Sequence, residues 1–127
     1  MSNLEIVRSI VADWARGDFS SADWADPQIE FVAPLGEARG IDALGLRWRE
    51  FLAAWDHFVT TPERFIEGEG DRVLVLIRFE GRGRASGTPL LNFSGAQLFT
   101  LREGKVVRLV LYEDRKEALE AVGREPG

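Results

Sequence analysis

The sequence contains no cysteine and a single histidine, His57. The first absence excludes a disulfide framework, a thiol nucleophile and a cysteine-ligated zinc. The second excludes a metal site built from several histidines. A Ser–His–Asp arrangement stays open in principle. But His57 follows FLAAWD at the expected end of a helix, where a cation stabilises the last carbonyls. Capping or a plain surface position is therefore its expected role. The net charge is −5 and no basic run is present, which argues against a nucleic-acid partner. No apolar run approaches the ~20 residues of a membrane span. The opening MSNLEIVRS lacks the basic-then-apolar layout of a signal peptide. The expectation is a cytoplasmic protein that meets neither nucleic acid nor membrane. No motif calls for a cofactor: GRGR follows a strand and opens no helix, so it does not read as a phosphate loop.

What is present is an ordinary globular balance, 45% hydrophobic and 29% charged over 127 residues. That is enough for one domain with its own core. The expected domain is the whole chain, 1–127, with residues 122–127 as a frayed tail.

In residues 4–16, Leu4, Val7, Ile10, Val11 and Trp14 recur in steps of three and four and predict an amphipathic helix. Ser2 or Asn3 can cap it and Gly17 can stop it. DFSSADWAD predicts a short second helix ended before Pro27. QIEFVAP predicts a strand and PLGEARG a loop. Residues 41–56 predict a further helix with Leu44, Trp48, Phe51, Leu52 and Trp55 inward.

The period then changes to two. FVTTPERFIEGEG predicts an edge or bulged strand because of Pro62. DRVLVLIRFE and LLNFSGAQLFTLR predict long strands, with a bend or bulge at Gly95. REGK predicts a hairpin turn leading into VVRLVLYED. Asp114 is a candidate cap for a closing helical turn. The order predicts an α+β fold with helices packed against one face of a curved antiparallel sheet.

Several of these segments together resemble the SnoaL-like branch of the nuclear transport factor 2-like superfamily. They are ADWARGDF, PLGEARG, FLAAWDHF, GRGRASG and LFTLREGKVVRLVLYEDRKEAL. The resemblance implies a cone-shaped curved antiparallel sheet packed with three helices, often dimeric through the outer sheet face. It implies a small-molecule pocket inside the cone for a mostly apolar, oxygenated metabolite. The positions it would turn inward are Ile10, Trp14, Ala33, Leu35, Leu74, Leu76, Arg78, Glu80, Gln97, Leu109, Leu111 and Glu113, with Trp48 and Trp55 on the helical wall. Ile10, Ala33 and Gln97 stand where ketosteroid isomerases in the superfamily carry their tyrosine, aspartate base and acidic donor. Of the three, only Gln97 can donate a hydrogen bond, so that catalytic set is incomplete.

The remaining question is why Arg78 and Glu80 share a strand face with Leu74 and Leu76. One expectation is that all four point into the cone, with Arg78 paired to Glu80 or Glu113. Glu80 or Glu113 would then be a general acid or base, and Arg78 would stabilise an oxyanion. The other is a structural ion pair in a non-catalytic binding or interaction module. A homodimer is expected because Val73, Val75, Ile77, Phe79, Leu98 and Val110 would make an uncovered apolar outer face.

Overall fold

The stripe Val7, Ile10, Val11 and Trp14 is the buried side of the first helix, α1 (Asn3–Ala15). Ser2 caps it by accepting from the Glu5 N–H, and Glu5 reaches back to the Ser2 backbone in a reciprocal capping box. Gly17 ends it with φ at 82° and its N–H donating to the Trp14 carbonyl. The structure, a computed structural model, describes residues 2–18, 23–33, 36–53, 55–83 and 90–122, with side chains outside 51–52, 55–58, 82–83 and 90–93. Two more helices lie among these residues, α2 (Ile41–Ala53) and α3 (Arg115–Ala121).

The strands are β1 (Ala25–Ala33), β2 (Gly36–Arg39), β3 (Trp55–Glu67), β4 (Arg72–Gly83), β5 (Leu90–Arg102) and β6 (Lys105–Tyr112). They form one six-stranded curved, unclosed sheet in the order β2-β1-β6-β5-β4-β3. The α+β plan is as expected, but the sheet is mixed, because β1 runs parallel to β6. The tight β5–β6 turn is built by Glu103 and Gly104, with φ at 51° and 80°. That is the left-handed pair a two-residue hairpin needs.

Four local expectations change. The short helix at DFSSADWAD is not formed over 23–26: Asp23 and Trp24 turn, and Ala25 opens β1. Residues 19–22 lie outside the described residues. Pro27 sits where the β1–β6 register is broken between Ala25 and Glu30, a place that tolerates a missing donor. The loop PLGEARG supplies β2, which pairs back on β1 from Gly36 to Arg39. The helix expected to reach residue 56 stops at Ala53, and Trp55 and Asp56 are already in β3. His57 is therefore a strand residue, and no helix end is there for it to cap. Gly95 causes no bulge, since β4 and β5 stay in register through the Ile77–Gly95 pair. Pro62 does mark an irregularity, in the edge strand β3.

The inner face is the one on which α1 and α2 pack. Its core joins Val7, Ile10, Val11 and Trp14 to Val73, Val75, Ile77, Phe79, Phe99 and Leu109. The outer face carries a second core, in which Ala118 and Val122 of the α3 segment meet Leu74, Leu76, Ala96, Leu98 and Val110. This corrects the direction of β4. Its odd-numbered residues face inward and its even-numbered ones outward, the reverse of the expectation. The surface expected to lie open for a second copy is thus different. Val73, Val75, Ile77 and Phe79 are inside, and α3 covers the outer residues Leu98 and Val110. A partner at this face would meet α3 and its surroundings in place of bare sheet.

Candidate functional site

The inner face is almost wholly apolar, and its exceptions are informative. Gln97 is 1% exposed and its Oε1 finds no hydrogen-bond partner among the described residues. It stands opposite Val75 on one side and Leu111 on the other, so it shares the face of the α1 and α2 core. Thr60 is also 1% exposed with its Oγ1 unpartnered among the described residues. It stands opposite Phe79, another inner-face residue. A buried polar atom left unpaired costs about 1–3 kcal/mol, and native structures hold few of them.

Beside Gln97 lies an aromatic group. Phe99 is two residues along β5 on the same face, about 6.6 Å away by the strand rise. Its ring is 6.1 Å from that of Trp14. Trp14 meets Trp24 edge-on at 5.6 Å and Trp48 at 5.8 Å. The helices supply two of these rings: Trp14 ends the buried stripe of α1, and Trp48 lies on α2. No ionisable side chain is among the buried described residues, although Arg8 lies over the ring of Phe65 at the edge of this core. What this face can do is bury flat apolar surface and hydrogen-bond a neutral group at Gln97 or Thr60.

The expected site residues divide between the two faces. Trp14, Ala33, Gln97, Leu109 and Leu111 line the inner face or pack against its core, and Ile10 lies behind them. Trp48 joins them through Trp14. Leu35 lies outside the described residues, as does the Trp55 side chain. Leu74 and Leu76 belong to the outer core. Arg78 and Glu80 follow their parity and also face outward, and Glu80 is exposed opposite Val59. Glu113 is exposed beyond the end of β6. The acid, base and oxyanion roles expected of Arg78, Glu80 and Glu113 inside the cone therefore have no geometric basis.

Arg78 belongs to another constellation. Its Nη2 lies 3.5 Å from Glu63 Oε2. The other oxygen of Glu63 accepts from Arg115 Nη2. The same Arg115 guanidinium donates to the carbonyls of Ile77 and Gly95, each at 3.1 Å. Ile77 and Gly95 stand opposite each other on β4 and β5, so the Arg115 guanidinium adds a donor to two facing carbonyls of neighbouring strands. Glu63 is the residue passed over where the β3 register slips between Pro62 and Arg64. The Arg115 hydrogen bond first, then the Arg115 and Arg78 charges, hold its carboxyl below the ordinary 4.5 against an opposing desolvation effect. This cluster pins the start of α3 to the sheet and is structural. Sequence reasoning missed Glu63, Arg115 and Thr60. For Glu63 the signal was Pro62, whose irregularity leaves the next residue out of the ladder; for Arg115 there was none. For Thr60 there was none, since Thr61 beside it is chemically the same.

A family model for the SnoaL-like domain matches residues 7–109. No curated protein matches the chain. Among solved structures, an NTF2-like protein of unknown function from Burkholderia pseudomallei shares 19% identity, with 97% of this chain and 99% of that one covered and a TM-score of 0.78. A protein from Jannaschia described as a candidate SnoaL-like polyketide cyclase shares 18%, with 98% and 93% covered and a TM-score of 0.76. TerC, co-crystallized with polyporic acid, shares 21%, with 94% and 96% covered and a TM-score of 0.75. At these identities the structures speak for the fold alone, and the family match speaks for descent: the chain belongs to the SnoaL-like domain family.

Proposed function

We propose that the inner face of the sheet binds a small, mostly apolar, neutral oxygenated molecule, and that the Gln97 amide is its polar anchor. The observation that carries this reading is the buried, unpartnered Oε1 of Gln97 beside the Trp14–Phe99 aromatic group. A bound hydroxyl or N–H would satisfy that oxygen and recover the cost of leaving it unpaired. Flat apolar surface would lie against the rings. A charged ligand would be buried without a counter-ion among the described inner-face residues, which is strongly unfavourable. The co-crystallization of TerC with polyporic acid is a fold-level parallel for small-molecule binding.

Binding alone fits this face better than acid–base catalysis. A cyclase-type reaction such as the Jannaschia relative's description implies would call for a proton donor or acceptor near the ligand. No ionisable side chain is among the buried described residues.

The test is Gln97→Leu, followed by thermal melts and tryptophan fluorescence with hydroxylated biphenyls and naphthols. In the free protein the substitution removes an orphaned polar group, so its melting temperature should hold or rise. Ligand-induced shifts seen in the wild type should be lost. A variant that melts much lower and still binds would make Gln97 a structural residue and end this reading.

A further inference from the structure

The two cores of this protein share no residue. Among the described residues the inner core holds nothing from 114–122, and the outer core holds nothing from α1 or α2. The α3 segment closes the outer core: Ala118 and Val122 are buried, and Leu119 and Ala121 pack beside them. Beneath it lie Ile66, Leu74, Leu76, Ala96, Leu98 and Val110, an apolar surface spread over four strands. A seven-residue helix does not hold its shape in water by itself, so its attachments decide whether it stays. At its start Arg115 donates to Glu63 and to the carbonyls of Ile77 and Gly95. At its end Arg72 donates to the Ala121 carbonyl, and Val122 is seated on Gly68. The Arg115 and Glu63 side chains are 29% and 34% exposed, so water replaces their contact when they part. Only Glu113 and Asp114 join β6 to α3, and Asp114 is extended, with φ at −109° and ψ at 115°. Residues at the end of an element, as these are, absorb the change when a packed piece swings away.

We infer that residues 114–122 are a hinged cover, which lifts off the outer face as one unit while the inner core stays intact, and that Arg115 is its latch. No ladder pair of β4, β5 or β6 includes a residue of this segment, so lifting it leaves the sheet whole. What it costs is confined to the outer core and the two arginine clamps. What it uncovers is the apolar surface on the side of the sheet opposite Gln97. The inference is independent of the ligand reading given above.

The test uses the absence of cysteine from the chain. Val122→Cys and Val75→Cys each introduce one thiol by the same substitution, the first under the cover and the second in the inner core. Each full-length variant is treated with a thiol-specific reagent under native conditions, and its rate is divided by the rate in denaturant. Circular dichroism checks that each is folded. The thiol of Val122→Cys should react at least about a hundredfold faster than that of Val75→Cys, because local openings are far less costly than global unfolding. Adding Arg115→Met should speed it about tenfold or more, the scale of one charged hydrogen bond. Adding Val11→Ala, which weakens the inner core, should speed the thiol of Val75→Cys and leave that of Val122→Cys unchanged. Equal rates for the two thiols, or acceleration of both by Val11→Ala, means that α3 parts only when the whole fold does and overturns the cover. A rate at Val122→Cys indifferent to Arg115→Met overturns the latch.

Discussion

At the scale of single residues, the chemistry of this chain is sorted by which side of the sheet a side chain takes. Charges gather outside, as Glu63, Arg78 and Arg115, and the two orphaned oxygens are inside. Glu63 gives a pH prediction with a definite sign. Its folded pKa is depressed, so its contribution is present above the unfolded value near 4.5 and is lost as the pH falls through the folded value. Wild type should therefore melt above Glu63→Gln at neutral pH, and the difference should shrink as the pH drops below about 4.5. A difference that stays constant on acidification would mean that the Arg115 contact is insensitive to the Glu63 charge. The sequence did reveal that Arg78 and Glu80 share a face with Leu74 and Leu76. It could not reveal which face. Val73 to Ile77 are apolar at every position because both faces of β4 are buried, one under α1 and the other under α3. An unbroken apolar run carries no alternation to orient it.

At the scale of elements, the signals that depend on one or two backbone positions were the legible ones. Ser2 and Glu5 start α1, Gly17 ends it, Glu103–Gly104 turn the last hairpin and Asp114 caps α3. Signals that needed a partner strand misled. GEAR looked like loop because four residues with one weak alternation are recognised as a strand only through their pairing with β1. The consequential element is α3, seven residues long and too short to be stable alone. It is held at its start by Arg115 and near its end by Arg72 Nη1, which donates to the Ala121 carbonyl at 2.8 Å. Just past it, Val122 packs so closely on Gly68 that a Cβ there would overlap its Cγ2. Gly68→Ala should lower stability by about 1–3 kcal/mol, the range for overpacking. Adding Val122→Ala should make the pair less damaging than the sum of the single changes. Chemical denaturation of the two single variants and the double measures the coupling. Strict additivity would show that α3 does not dock at Gly68.

At the scale of the whole molecule, the fold was legible because helices of period 3.6 and strands of period two follow one another in a recognisable order. The candidate site was legible only in part: of its expected residues Gln97, Leu109 and Leu111 lie on the inner face, whereas the expected charges Arg78 and Glu80 lie on the outer one. One consequence is measurable over the whole protein. With no ionisable side chain among the buried described residues, affinity for a neutral ligand should be flat from about pH 5.5 to about pH 8.5, where histidine titrates and ordinary carboxylates do not. Titrating a hydroxylated biphenyl across that range checks this. A step near neutrality would bring an ionisable group into the site, with His57 the first to replace. A different consequence follows from the parallel pairing of β1 with β6. The first strand completes its hydrogen bonding only against the last one. Strands β3 to β6 can zip up from neighbouring antiparallel pairs, whereas β1, with β2 attached, must wait for a contact that spans most of the chain. Such distant contacts slow folding, because the loop must close before any of its cost is recovered. On the ribosome β1 lacks its parallel neighbour until β6 has been made.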